Sequence, residues 1–403
     1  MLIAALLIAI VAVYLIQFRI YRDRTFDGIR YDVTLSADEV FEGEEVFLHE
    51  EISNASILTL PFVKVDTSLP DGLFYLLIDS EKNGGRSARQ AQSVQSLFVL
   101  RPYQKIKRTW RVRCETRGEY SIGSVTLVTN DLVGFNQQSK MITVRATSKN
   151  HLTVLPRTVE LEKEFTASRY ISGDILVQRS VLSDPLRLCG VREYRSGDPM
   201  SRINWKSTAG HNTLMVNEEE FTRHHHFHLV LNMNSRDIER VPGPPAIAYA
   251  VENCVTVAAS ILDTVSTENI AVRLITNTIP PETEEECTAA VSEEDEIGRE
   301  IFLSPVYSGT QDMLGALRML ASLPLHIGIS VEKMMDHIVE HPEIYVGGGN
   351  LIFVSAYLSE RMINFYYVMH NMGLDVIFYI TGTTGNAPII PEDVPVFFRT
   401  YLD

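Results

Sequence analysis

The apolar residues of this chain change their period once, and that change constrains the fold more than any single motif. Over residues 26–150 the period is two. Tyr31-Asp32-Val33-Thr34-Leu35-Ser36 alternates, and so do residues 45–52. The clearest case is residues 105–115, where Ile106, Trp110, Val112 and Cys114 share one face and Lys105, Lys107, Arg111 and Arg113 the other. Turn residues recur at Asn54, Pro70-Asp71-Gly72, Asn83-Gly84-Gly85 and Arg117-Gly118. Short strands at this spacing predict an antiparallel β-sandwich of immunoglobulin-like type over residues 25–150. Residues 80–92, polar and glycine-bearing, are expected as a hairpin loop. Beyond residue 220 the alternation gives way to continuous apolar runs at 228–232, 269–276, 351–355 and 374–380. Helical patterns lie between them, at 245–263, at 311–322 and in a stretch ending near Asn371. Strands buried on both faces lose their alternation, so residues 221–403 are predicted to form an α/β domain around a parallel sheet.

Residues 1–16 carry no charged or strongly polar side chain, and Gln17 and Phe18 extend the run. Eighteen helical residues span about 27 Å, close to the roughly 30 Å of a bilayer's hydrocarbon core. Arg19, Arg22 and Arg24 follow the run, with no basic start and no small-x-small cleavage site. Residues 1–24 are therefore expected to be a single-pass transmembrane anchor in the cell membrane, held through residues 1–18, with the bulk of the chain cytoplasmic by the positive-inside rule. The chain has 403 residues and a net charge of −15, which argues against nucleic acid as a partner. Its four cysteines, Cys114, Cys189, Cys254 and Cys287, form no CxxC pair and fit neither a zinc site nor a disulfide framework. Residues 281–300 hold nine carboxylates and few apolar side chains, the composition of a solvated insertion.

Residues 151–220 connect the halves and contain a stretch in which charge, aromatic and turn residues are concentrated. Asp198 reads as a helix N-cap and Pro199 as the first helical residue, where a missing N–H costs nothing. The predicted helix runs through Ile203 and Trp205 and stops near Gly210. Arg192, Glu193, Asp198, Arg202 and Lys206 are expected to pair with one another, because lone buried charges are costly, with Trp205 wedged against the sheet.

The same stretch carries a resemblance. Gly190-Val191-Arg192-Glu193-Tyr194, Gly197-Asp198 and Arg202-Ile203-Asn204-Trp205-Lys206 resemble the signature of the domain-of-unknown-function 58 family. Arg117-Gly118-Glu119-Tyr120, Asn130-Asp131-Leu132-Val133-Gly134-Phe135 and Leu155-Pro156 are similar to earlier motifs of that family, in the same order. The resemblance implies a membrane-anchored protein with a β-domain and a von Willebrand factor A-like domain of Rossmann type. It also implies a MoxR-type AAA+ ATPase as partner, since the two are often encoded side by side. Two departures stand out. Asn204 replaces the aspartate usual before the tryptophan, and one membrane segment is present where the family usually has two.

The implied fold directs attention to the loop after its first strand, where such domains often hold a divalent cation on a D-x-S-x-S loop. Here Asn232-Met233-Asn234-Ser235-Arg236 stands in that place, and a later strand ends in Ser355-Ala356. With no carboxylate and with Arg236 beside them, Asn232, Asn234 and Ser235 form a degenerate metal loop, and no bound metal or other cofactor is expected. His224, His226 and His228 share one strand face, but neighbours on one strand rarely reach a common tetrahedral centre. Gly347-Gly348-Gly349 and Gly382-Thr383-Thr384-Gly385 lack the strand-to-helix setting of a phosphate loop. No nucleophile motif is present.

The expected function is that of a non-enzymatic interaction or scaffold protein. Arg192, Glu193, Tyr194, Gly197, Asp198, Arg202, Asn204, Trp205 and Lys206 are its structural or interaction residues. An enzyme with a site around Asp198, Arg202, Asn204 and Lys206 is the alternative, with Lys206 as base or nucleophile. Metal-dependent ligand binding at Asn232 and Asn234 is a third.

Overall fold

The computed structural model describes residues 2–80, 86–131, 137–144, 148–161, 183–193, 205–211, 213–221, 226–234, 245–267, 270–280, 300–325, 328–342, 350–382 and 388–399. Within these, side chains are described except at 2, 4, 5, 78–80, 86–88, 148, 183–193, 205, 206, 211, 216–221, 226, 245–248, 310 and 311. Two compact units emerge, one of Met1–Arg157 with Leu317–Leu323, the other of Thr158–Ala316 with Pro324–Asp403.

The first unit opens with helix α1 (Leu2–Arg24) and continues as strands. A five-stranded sheet joins β1 (Ile29–Leu35), β3 (Glu45–Asn54), β8 (Lys105–Cys114), β5 (Leu73–Ser80) and β6 (Arg86–Ala91) in that order, all antiparallel. A four-stranded sheet joins β11 (Gln137–Thr143), β10 (Ser124–Asn130), β4 (Leu60–Ser68) and β7 (Ser93–Leu100), again antiparallel. A small third sheet sets β12 (His151–Leu155) between β2 (Glu39–Phe41) and β9 (Gly118–Ser121). The period-two pattern explains this arrangement. Val46, Leu48 and Ile52 of β3 face Val112, Trp110 and Ile106 of β8 in register, and they join one core with Leu60, Val63, Val65, Phe98 and Leu127 of the second sheet.

Residues 86–91, expected in a loop, are the strand β6 paired along β5 from Tyr75↔Ala91 to Ser80↔Arg86. Their polar side chains reflect an edge position, where one flank of the strand has no neighbour in the sheet. The basic face of β8 is as predicted, and two carboxylates of β3 pair with three of its four cations. Lys105 and Lys107 pair with Glu51, and Arg111 with Glu45. The Lys105 ammonium, hydrogen-bonded to Glu51, holds that carboxyl below its ordinary value, and Lys107 adds to the effect.

The second unit holds the hairpin β13 (Ser183–Glu193) and β14 (Met215–Phe221) with the short helix α2 (Trp205–His211) between them in sequence. It also holds a six-stranded sheet. β15 (His226–Leu231), β16 (Ala271–Thr276), β18 (Asn350–Ser355), β19 (Val376–Ile380) and β20 (Val396–Phe398) run parallel, and β17 (Phe302–Tyr307) pairs antiparallel with β16. The order β17-β16-β15-β18-β19-β20, counted from β15, is 3-2-1-4-5-6, the doubly wound order whose reversal lies between β15 and β18. Its helices are α3 (Pro245–Thr267), α5 (Val331–Glu340) and α6 (Glu360–Asn371), while α4 (Gly309–Ser322) belongs to it up to Ala316 and to the first unit from Leu317. Ser330 and Ser359 cap α5 and α6 by accepting the backbone N–H of Lys333 and Met362. Val230, Phe353 and Phe378 of the sheet pack in one core with Met334, Ile338, Met362 and Phe365 of these two helices. The predicted α/β domain with buried parallel strands is therefore present, with one antiparallel edge strand that the sequence reading lacked.

Among the described residues, no helix is long and apolar enough to cross a membrane. Helix α1 does form over the apolar run, and Leu6, Leu7, Ile8, Ile10, Val11, Val13, Leu15 and Ile16 are all exposed on it.

Candidate functional site

In doubly wound sheets, ligand sites form beyond the carboxyl ends of the strands where the order reverses. In this unit that place is shared by the ends of β15, β16 and β18, and three asparagines and a serine meet there. Asn232 and Asn234 follow β15, Asn277 follows β16, and Ser355 closes β18. All four are buried.

Asn277 is the hub. Its Oδ1 accepts the backbone N–H of Met233 at 2.9 Å. Its Nδ2 donates to the Ile329 carbonyl at 3.0 Å, to Asn232 Oδ1 at 3.5 Å, and to Asn234 Oδ1. Its own carbonyl accepts the N–H groups of Gly328 and Ile329 at 3.1 and 3.4 Å. Asn232 turns the other way, its Nδ2 donating to Ser355 Oγ at 3.0 Å while its Oδ1 accepts the Asn234 N–H at 2.9 Å. Ser355 Oγ also accepts the Tyr357 N–H at 3.3 Å. Side-chain amides thus satisfy the backbone groups that three strand ends would otherwise bury unpaired.

This donor set does not fit a hard divalent cation. Dehydrating Mg²⁺ is offset by carboxylates, and the four residues of the network are neutral. The amide oxygens of Asn232, Asn234 and Asn277 all accept N–H protons, so a cation would have to break the bonds that hold the strand ends. Asn232 and Asn234, expected from the sequence as positions of a degenerate metal loop, meet here with Ser355. Ser235 and Arg236 lie outside the described residues. Asn277 was missed. The signal for it was positional: it directly follows the strand that the doubly wound order sets next to β15.

A second polar cluster is buried in the first unit. Glu50, in the core, accepts hydrogen bonds from Tyr31 Oη at 2.9 Å and Trp110 Nε1 at 3.1 Å. Burial, with Glu50 adding its charge, pushes the Tyr31 and Tyr75 hydroxyls far above the ordinary phenol range. Arg108 lies over the Phe98 and Trp110 rings at 4.9 and 5.2 Å. Buried Arg117 donates to the carbonyls of Leu320, Ala321 and Leu323, in the segment that groups with this unit. Tyr120 Oη donates back to the Thr116 carbonyl at 2.9 Å, which fixes the Arg117-Gly118 turn.

The mid-chain residues are only partly described. Arg192 and Glu193 end β13, opposite Val216 and Met215. Trp205 and Lys206 begin α2, which ends at His211, one residue past the expected stop near Gly210. Tyr194, Gly197, Asp198, Pro199, Arg202 and Asn204 lie outside the described residues, as do His224 and the acidic stretch 281–299. His228 is buried within β15, opposite Arg273 and Leu351, in the position of a core histidine. Gly382 is described and has a structural reason. A β-carbon there would fall inside the van der Waals radius of the Ala356 carbonyl oxygen.

Three solved structures illustrate what the chain is similar to. The sporulation control protein Spo0M from Bacillus subtilis is 16% identical over 29% of this chain and 48% of its own, with a TM-score of 0.17. The CARDB domain of the PF1109 protein from Pyrococcus furiosus, in complex with di-metal ions, is 14% identical over 30% of this chain and 90% of its own, with a TM-score of 0.17. The β-glucosidase EmGH1 from Erythrobacter marinus is 12% identical over 29% of this chain and 15% of its own, with a TM-score of 0.14. The alignment thus spans about half the length of Spo0M. No curated protein matches the chain. A domain of the family described as "Protein of unknown function DUF58" is found at residues 190–323, over β13, α2, β14 and the first half of the sheet.

Proposed function

We propose that this chain is a membrane-anchored interaction protein without catalytic activity, whose α/β unit is a von Willebrand A-like domain that recognises a protein partner, a MoxR-type AAA+ ATPase. The observation that carries the reading is the content of the strand-end crevice. Where an enzyme of this architecture would place acids, bases or a cation, Asn232, Asn234, Asn277 and Ser355 are spent on one another and on backbone groups. Such a network rigidifies the three strand ends and supplies no charged group there.

The 3-2-1-4-5-6 order with an antiparallel third strand supports the von Willebrand A-like reading. Two antiparallel sheets over one core, with Tyr120 bonded back to Thr116 in the manner of a tyrosine corner, support an immunoglobulin-like first unit. For the partner class, the support is the motif resemblance, in the same stretch as the family domain found at residues 190–323. For the anchor, the support is the apolar run of α1 ending in Arg19, Arg22 and Arg24, with the bulk of the chain cytoplasmic.

Co-expression of the full chain with a MoxR-type ATPase tests this. The account expects both to co-purify from detergent-solubilised membranes, and expects deletion of residues 2–24 to move the chain to the soluble fraction. Recovery of the full chain in the soluble fraction, or a chain that purifies free of the ATPase, contradicts it.

A further inference from the structure

The last turn of α5 brings three metal-ligating side chains to one place, away from the strand-end network. His337 and Glu340 stand three apart in the last turn of the helix, and His341 is its C-cap, with φ −128° and ψ 56°. Their nearest ligand atoms, imidazole nitrogens and a carboxylate oxygen, all lie within 4.8 Å of one another. The two rings meet edge to face with centroids 4.7 Å apart. We propose that His337, Glu340 and His341 form a binding site for a borderline transition-metal ion, Zn²⁺ above all.

Donor chemistry selects the ion. Two imidazoles and one carboxylate suit Zn²⁺, whereas Mg²⁺ and Ca²⁺ favour sites built from oxygen. In a tetrahedral zinc site with bonds of about 2.0–2.1 Å, ligand atoms stand about 3.3 Å apart. Closing from the observed spacing draws on Glu340, which is exposed, and His341, which is half-buried. The third is the fixed point. His337 is 5% exposed, on a helix held in the core by Val331, Met334, Met335 and Ile338. Three protein ligands leave the fourth position of a zinc ion to solvent.

Helix electrostatics points the same way. The negative end of the α5 dipole lies at this turn, where a carboxylate is disfavoured and a cation is favoured. Glu340 nevertheless ends the helix. The His341 backbone N–H, bonded to the His337 carbonyl at 3.0 Å, sets the second imidazole one turn beyond the first. A divalent ion held by all three side chains turns the misplaced carboxylate into a ligand and sets positive charge at the helix end.

Equilibrium dialysis of the metal-free full chain against Zn²⁺, with bound metal measured by elemental analysis, decides the matter. The sequence offers a competing donor run in His224, His225, His226 and His228, so the design must separate the two. His337→Ala removes a buried side chain and can fail for reasons of folding, so the accessible donors carry the test. The expected result is one equivalent bound at micromolar free Zn²⁺. His341→Ala should abolish it and Glu340→Gln should weaken it at least about tenfold, the minimum cost of disturbing a metal site. The double variant His224→Ala/His226→Ala should retain it. The parent, but not His341→Ala, should also melt at a higher temperature when Zn²⁺ is added. Parent-like binding in both His341→Ala and Glu340→Gln, loss of the equivalent in the double variant, or no binding at micromolar Zn²⁺ overturns the proposal.

Discussion

At the scale of single residues, the molecule depends on side chains that pair buried backbone groups. Asn277 is the strongest case, because its one amide serves Met233, Asn232, Asn234 and Ile329. Asn277→Ala leaves a buried N–H and a buried carbonyl without partners. It should cost about 2–3 kcal/mol, the scale of one or two unsatisfied buried groups, as read from chemical denaturation followed at the second unit. A loss below about 0.5 kcal/mol, typical of a surface change, would mean that the network is incidental. The buried cysteines give a second handle. Burial pushes the Cys114 thiol up to about 12, with the charge of Glu44 adding. Burial likewise pushes Cys254 up to about 12; a hydrogen bond with Thr381 opposes the shift and Glu252 adds to it. Above the ordinary thiol value of 9.0 the unfolded chain releases these protons and the folded chain keeps them. The unfolded state then binds fewer protons, so stability falls as pH rises across the window from about 9 to about 12. Denaturation curves at pH 8 and pH 10 should show that fall, and Cys114→Ala with Cys254→Ala should reduce it. In the folded protein at pH 8, iodoacetamide should leave both thiols unmodified.

At the scale of elements, what could be read in advance was what burial writes into the apolar pattern. The strand at Lys105–Cys114 alternates because one of its faces meets the core and the other Glu45 and Glu51. Strands β18 and β19 show no alternation because they are buried throughout. Edges were harder. β6 is polar, β20 has three residues, and β17 contains Pro305, which a strand tolerates only where its N–H is not needed for the ladder. Helix α5 was overlooked although Val331, Met334, Met335 and Ile338 keep helical spacing, because charged and imidazole residues separate them. The candidate site was half legible. Asn232 and Asn234 are two residues apart in sequence, whereas Asn277 joins them only through strand order. Helix α2 begins at Trp205, inside the stretch expected to be structural. On the expectation that this stretch is structural, Trp205→Ala should destabilise the second unit by about 3–5 kcal/mol, the usual cost of emptying an aromatic core site. A variant that melts like the parent but loses partner binding would make this stretch a contact surface instead.

At the scale of the whole molecule, two units with separate cores carry different tasks. The first closes two antiparallel sheets over Leu48, Val65 and Leu127, with Lys105, Lys107 and Arg111 of its basic face paired to Glu51 and Glu45. The second has the doubly wound order that in other proteins often frames catalysis, and fills the decisive crevice with neutral amides. Recognition that needs no metal at the strand ends is the central claim, and one measurement tests it most directly. The dissociation constant of the full chain in detergent for a nucleotide-free MoxR-type ATPase is determined with and without Mg²⁺. The account predicts a complex of unchanged affinity in the two conditions. Absence of a complex, or one that forms only when Mg²⁺ is present and is lost in Asn232→Ala, would contradict it.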